Sequence, residues 1–339
     1  MNITHKKLDL SSLFTGVFSA ILITFLIGLP GYIYSQPSSA EIINSPVDKN
    51  QNSDPYRSRF FSVEGAPNLT VFTTVGDIEV RQNPDLDGVQ VDLFVQREFS
   101  LWAGSQNLDN YRIILQQSGN DIVASVENRG GENRRRVSRD VQFSFVIQVP
   151  TKSSTNLRTV NGKITIDGLE GRHFIQNQNG DLTVSDTKGE IQVASTNGAI
   201  NLKNLSGNIR VNNVTGRVNI ENSEGEIRAR TVSGDMITSG IVGVFIGATV
   251  TGNIDTGFRD ISRGVFMESV SGNISTNLPQ NKSYSVRAQG LRYDFDQLNK
   301  SYSKVNIRPD HATVEIREGG IPVNLSTVSG VIKVKELMD

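Results

Sequence analysis

The stretch Gly198-Ala-Ile200-Asn-Leu202-Lys-Asn-Leu205-Ser206-Gly207-Asn-Ile209-Arg210-Val211-Asn-Asn-Val214-Thr215-Gly216-Arg-Val218-Asn-Ile220 decides the fold. Each glycine opens the same phrase, Gly-x-Φ-x-Φ, with Φ an aliphatic residue. Alternation by two means a short strand with one face buried. The glycine, often preceded by Asn, Ser or Thr, supplies a turn, where a positive φ costs it little. Outward from this stretch the beat holds without a slip, at Gly162, Gly171, Gly180, Gly189, Gly225, Gly234, Gly243 and Gly252.

Odd and even units differ, so the true period is eighteen. One set of glycines follows Val214-Thr215, Val232-Ser233 and Val250-Thr251. The other follows Leu169-Glu170, Thr187-Lys188, Leu205-Ser206 and Ser223-Glu224. Eighteen residues with two short strands and two turns make one coil of a β-solenoid. Successive coils stack about 4.8 Å apart through parallel pairing. Stacking lines the Φ residues into aliphatic columns, each buried side chain contributing roughly 1.5–3 kcal/mol. A helix fails on the β-branched content and the regular glycines. A sandwich of hairpins gives no reason for a fixed period.

The beat loosens after Gly252 and recurs at Val270-Ser271-Gly272-Asn273-Ile274. A less regular insertion near 281–310 follows, with Tyr284, Tyr293, Phe295 and Tyr302. The beat returns at Val328-Ser329-Gly330-Val331-Ile332. Residues 61–155 alternate as strands, and Val75-Gly76-Asp77-Ile78-Glu79-Val80 is a first copy of the motif. That region is expected to cover the open end of a solenoid spanning 156–339.

The chain has 339 residues, 34 Lys+Arg against 35 Asp+Glu, and 31 Gly. Near-neutral charge argues against a chain built to hold nucleic acid. The absence of Cys excludes disulfides, thiolate metal sites and a Cys nucleophile. Lys6 and Lys7 precede an uncharged apolar run, Leu13 to Leu29. Residues 1–36 therefore read either as a signal peptide cut near Ser35-Gln36 or as an uncut membrane anchor. Residues 37–60 have the composition of a disordered linker. In both readings the remainder is exported.

Three elements resemble the bacterial adhesin-like β-strand-repeat family, the DUF4097 group, related to autotransporter adhesin head domains. They are Val75-Gly-Asp-Ile-Glu-Val80, the passage from Val146-Ile-Gln-Val-Pro150 into Thr159-Val-Asn-Gly-Lys-Ile-Thr-Ile166, and the recurring Thr-Val-Ser-Gly-x-Ile units. The resemblance covers roughly residues 61–337. It implies an exported bacterial protein with a right-handed parallel β-helix, and it carries no catalytic residues. Right-handedness agrees with the usual sense of parallel crossovers.

The chemistry-bearing residues are sparse. His5 lies in the export segment, His173 in a Φ slot as a half-buried misfit, and His311 in a polar turn. No triad, nucleophile elbow, His-Glu-x-x-His or phosphate loop occurs. The position after glycine holds Lys163, Asp181, Ala199, Arg217, Asp235 and Asn253, so no calcium ladder forms. No metal and no cofactor is expected. Reading eighteen apart gives one outward line through Asp167, Ser185, Lys203, Glu221 and Ser239, without the adjacent carboxylates of paired acid–base work. A second line runs Gln192, Arg210, Arg228, Ile246. There Arg210 and Arg228 stand side by side, able to grip a sulfate or carboxylate. Arg134, Arg135 and Arg136, flanked by Arg129 and Arg139, form the sharpest charge cluster, a candidate contact for anionic glycan or headgroups. Solvated side chains are the competing reading for both. Ile237, Val244 and Ile246 fall at outward positions, and the chain itself is expected to cover them. Asn177/Asn213 and Asn204/Asn222 are expected to stack as amide ladders.

The resulting expectation is a non-enzymatic solenoid in the cell envelope, at the periplasm or cell surface. It offers a rigid polar surface to a glycan or another envelope protein, and touches the membrane through the N-terminal segment if that stays uncut. A carbohydrate-active solenoid enzyme and a membrane-anchored sensor are the alternatives.

Overall fold

The computed structural model of the protein describes residues 54–97, 108–128, 141–280 and 282–336. The export segment, most of the linker and Arg134, Arg135 and Arg136 lie outside the described residues. The chain is all-β; one 3-10 turn at Leu108–Asn110 is the only helical piece among the described residues. The first strands are β1 (Arg57–Ser62), β2 (Asn68–Val75), β3 (Ile78–Gln82), β4 (Gly88–Arg97), β5 (Tyr111–Ser118), β6 (Asp121–Asn128) and β7 (Val141–Val149). Long and short strands then alternate: β8 (Ser154–Asn161), β9 (Ile164–Asp167), β10 (Glu170–Asn179), β11 (Leu182–Ser185), β12 (Lys188–Asn197), β13 (Ile200–Lys203), β14 (Ser206–Thr215), β15 (Val218–Glu221) and β16 (Glu224–Ser233). β17 (Met236–Thr251) and β18 (Ile254–Ser271) each merge a short and a long segment. The last strands are β19 (Ile274–Leu278), β20 (Tyr284–Gln289), β21 (Arg292–Asp294), β22 (Ser303–Ile307), β23 (Ala312–Ile316), β24 (Ile321–Ser329) and β25 (Val331–Glu336).

Two parallel ladders organise these strands. The long ladder runs β8, β10, β12, β14, β16, β17, β18 and β24. The short ladder runs β9, β11, β13, β15, β17, β18, β19 and β25. In the regular part each residue pairs with the one eighteen further on, as Ile191 with Ile209 and Leu202 with Ile220. Inward residues therefore form columns. Ile164, Leu182, Ile200, Val218 and Met236 make one, all essentially without solvent contact.

The nine-residue beat has a packing cause as well as a torsional one. Gly198 has φ 143°, and a Cβ on it would lie 2.0 Å from the carbonyl oxygen of Gly180, eighteen residues earlier. Gly207, in the second glycine column, would bring its Cβ to 2.1 Å from the carbonyl of Gly189. No side chain fits either gap. A buried polar column borders the first set of turns. Thr159 Oγ donates to Gly76 O at 3.1 Å, Thr327 Oγ to Gly272 O at 2.9 Å, and Asn177 Nδ2 to both Gly162 O and Gly180 O. Asn213 repeats the Asn177 arrangement on Gly198 O and Gly216 O. Asn177 and Asn213 thus do not stack as an amide ladder: Ser195 stands between them, and their amides donate to turn carbonyls instead. Amide stacking occurs at Asn161, Asn179 and Asn197, linked in series at 2.9 and 3.0 Å.

Both ends of the ladders depart from simple winding. β2 lies between β6 and β8, and β3 between β7 and β9. The early copy of the motif is therefore held inside the stack, and β6 and β7 lie beyond it with antiparallel partners β5 and β4. At the other end β24 lies between β18 and β20, and β25 between β19 and β21. The insertion closes this end through a polar cluster. Tyr302 Oη donates to Glu336 Oε1 at 3.0 Å, the Asn299 N–H donates to Glu336 Oε2, and Arg317 lies over the Tyr302 ring.

Candidate functional site

The outward face of the long ladder brings the two sequence-selected arginines together. Arg210 and Arg228 pair directly across β14 and β16, on a line that runs Phe174, Gln192, Arg210, Arg228, Ile246, Phe266. Neither guanidinium is bare. Arg210 Nη1 lies 3.2 Å from Glu190 Oε1, and Arg228 Nη2 lies 2.6 Å from Glu226 Oε1. Arg263 approaches the second oxygen of Glu226 at 3.3 Å. Hydrogen bonding from Arg228, and then its charge, hold the Glu226 carboxyl below its ordinary range. Arg230, two residues along β16 on the same face, has no ion-pair partner among the described residues. Three arginines thus meet two carboxylates and Arg230 adds a fourth guanidinium, leaving these residues with an excess of positive charge.

Rings flank the patch on the same line. Phe174 is 42 % exposed and Phe266 37 % exposed. At about 4.8 Å per strand they stand roughly 24 Å apart, with the arginines between them. The periodicity placed Arg210 and Arg228 but not their surroundings. Phe174 was within reach of it, one period before Gln192. Phe266 and Arg263 were not, because the pairing of β17 with β18 slips between Gly243 and Val244, so that Val244 meets Gly264.

Elsewhere the outward line Asp167, Ser185, Lys203, Glu221, Ser239 forms by direct pairing on the short ladder. Ser185 Oγ donates to Asp167 Oδ1 at 2.5 Å, and no two carboxylates on this line are neighbours. Each described carboxyl with a shifted affinity, Glu226, Asp294 and Asp310, is shifted down, chiefly by a hydrogen bond from Arg228, Lys333 and His311 respectively. That is opposite to the direction a general acid needs. Among the described residues no group of three His, Asp or Glu could hold a metal ion. His173 is fully buried rather than half-buried. Its Nδ1 lies 3.0 Å from Thr155 Oγ, its Nε2 has no partner, and burial pushes the imidazole down to about 4. His311 sits at the hairpin turn with Nδ1 2.8 Å from Asp310. Of the apolar residues at outward positions, Val244 is buried, Ile246 half-buried and Ile237 exposed.

The chain is an all-β repeat protein whose outward faces are polar. No model of a known protein family and no curated protein matches it. Solved structures similar to it include two bacterial proteins. One is a presumed cell adhesion protein of Clostridium sporogenes, 11 % identical, with a TM-score of 0.21, over 83 % of this chain and 98 % of that one. The other is a presumed adhesin of Bacteroides fragilis, 12 % identical, with a TM-score of 0.33, over 83 % and 96 %. Neither likeness is close enough to carry an argument about function.

Proposed function

We propose that the protein is a non-enzymatic, exported envelope component that binds acidic glycans along the Phe174–Phe266 line, in an adhesin-like or scaffolding role. The same reading takes the fold as a right-handed β-helix of eighteen-residue, two-strand coils. The pairing offset of eighteen and the preferred hand of parallel crossovers support it. One observation carries the functional reading: guanidinium groups in excess over carboxylates, set on a rigid strip between two exposed rings. Sulfate or carboxylate groups would take Arg230 and the N–H groups that Arg210 and Arg228 do not give to Glu190 and Glu226, and the apolar faces of sugar rings would lie on Phe174 and Phe266. Arg134, Arg135 and Arg136 are assigned a second anionic contact. Export through the N-terminal apolar run places the strip where such polymers are met.

Retention on immobilised sulfated or uronic-acid polysaccharide tests this. The Arg210→Ala, Arg228→Ala, Arg230→Ala triple variant is expected to bind about tenfold more weakly, roughly 0.5 kcal/mol per exposed pair. Alanine at Arg134, Arg135 and Arg136 is expected to lower retention further. Cleavage of the polysaccharide by the purified protein, or unchanged retention by the triple variant, would refute the proposal.

A further inference from the structure

The long ladder continues past β24 and β20 into the antiparallel hairpin of β23 and β22. Among the described residues no strand pairs with the outer edge of β22. The hairpin's own hydrogen bonds identify what that edge carries. The Arg308 N–H donates to His311 O at 2.8 Å, and the Arg317 N–H donates to Tyr302 O at 2.9 Å. Antiparallel bonding alternates, so the backbone groups of Lys304 and Asn306 face β23. Those of Ser303, Val305 and Ile307 face outward. The Val305 and Ile307 side chains stand opposite the buried Val314 and Ala312 and so prolong the inner columns, yet they are 46 % and 59 % exposed.

We propose that this edge pairs with the same edge of a second copy of the chain, antiparallel about a two-fold axis through Val305. The register specifies the occupant. Centred on Val305, the pairing sets Ser303 against Ile307 and Lys304 against Asn306 of the second copy. Every outward backbone group then finds its match, and no like charges meet. Centring on Asn306 sets Lys304 against Arg308 and turns Ser303 toward Pro309, which has no N–H to give. Centring on Lys304 brings two lysines face to face. Read against themselves, these five residues supply donors, acceptors and apolar contact in one alignment.

The chain has no Cys, so single cysteines report on the site in the full-length protein. Val305→Cys is expected to give a disulfide-linked dimer on mild oxidation, since facing residues in such a pair have Cα atoms about 5.5 Å apart. Ile307→Cys, facing Ser303, is expected to give little. Val305→Lys and Val305→Glu should each weaken self-association about tenfold, and mixing the two should restore it. Circular dichroism identical to that of the parent keeps the comparison valid, since Val305 lies outside the packed core. Equal cross-linking at 305 and 307, no cross-link at 305 in a folded variant, or self-association indifferent to Val305→Lys would overturn the proposal.

Discussion

The His173 imidazole takes an isoleucine's place in the inner column Thr155, His173, Ile191, Ile209, Ile227. It is held neutral because a charge there would have no water and no counter-ion. The folded state takes up this proton only near pH 4, whereas an unfolded chain takes it up near 6.5. As pH falls through that window the unfolded state binds more protons, so stability is lost, by roughly 3 kcal/mol once pH is below about 4. Above 6.5 the group contributes no pH dependence. His173→Ile is expected to remove this part of the acid sensitivity. Urea midpoints at about pH 7.5 and about pH 4.5 measure it; equal falls for parent and variant would contradict the assignment. The inward direction of His173 was legible from its Φ slot. Its depth was not, because Leu69 covers Thr155 from a segment far away in sequence, and local pattern does not reveal that neighbour. Likewise Arg210 and Arg228 were legible as a pair. Arg263 was not, since it sits in the extra residues that break the beat.

At the scale of the element, the two glycine columns set how closely the coils can stack. Gly198 and Gly257 provide a contrast. At Gly198 an added Cβ meets a backbone carbonyl at 2.0 Å and the φ is positive; at Gly257 the nearest atom is 3.7 Å away and the φ is not in that region. Gly198→Ala is expected to cost more than about 3 kcal/mol, because backbone of the neighbouring coil must move. Gly257→Ala should change stability by less than about 1 kcal/mol. Thermal midpoints of the two variants decide it, and comparable losses would mean that stacking is not the constraint. The in-phase alignment from Gly162 to Gly252 could be read from the spacing, but not that alternate glycines sit inside a ten-residue strand rather than at a turn, as Gly207 does in β14. The antiparallel hairpin of β22 and β23, and the return of β24 to a place beside β18, could not. Alternation tells a strand which face is buried, not which partner it takes.

Over the described molecule, the parallel-ladder strands nearest the two chain ends are not the outermost ones. β2 and β3 are each flanked on both sides, as are β24 and β25. In a simple repeat array the terminal unit can leave without disturbing more than one interface. Here removal of residues 321–339 takes away the shared partner of β18 and β20 and, with Glu336, the anchor of Tyr302 and Asn299. Deletion of that segment is expected to unfold the region from β20 to β23 as well, rather than to shorten the stack by one coil. Backbone hydrogen exchange reads the outcome directly: protection persisting at Tyr284–Gln289 in the truncated protein would count against the interlocked arrangement.

That arrangement also limits how such a protein can grow. A further unit has no vacant step beside β2 or β25, because β6 and β21 of the folded-back chain already occupy those steps. Length can change from within, by duplicating a piece such as Gly198–Thr215, which would move the two closures about 4.8 Å further apart and leave both unaltered. A lineage built on this plan would be expected to vary in its middle and keep its ends.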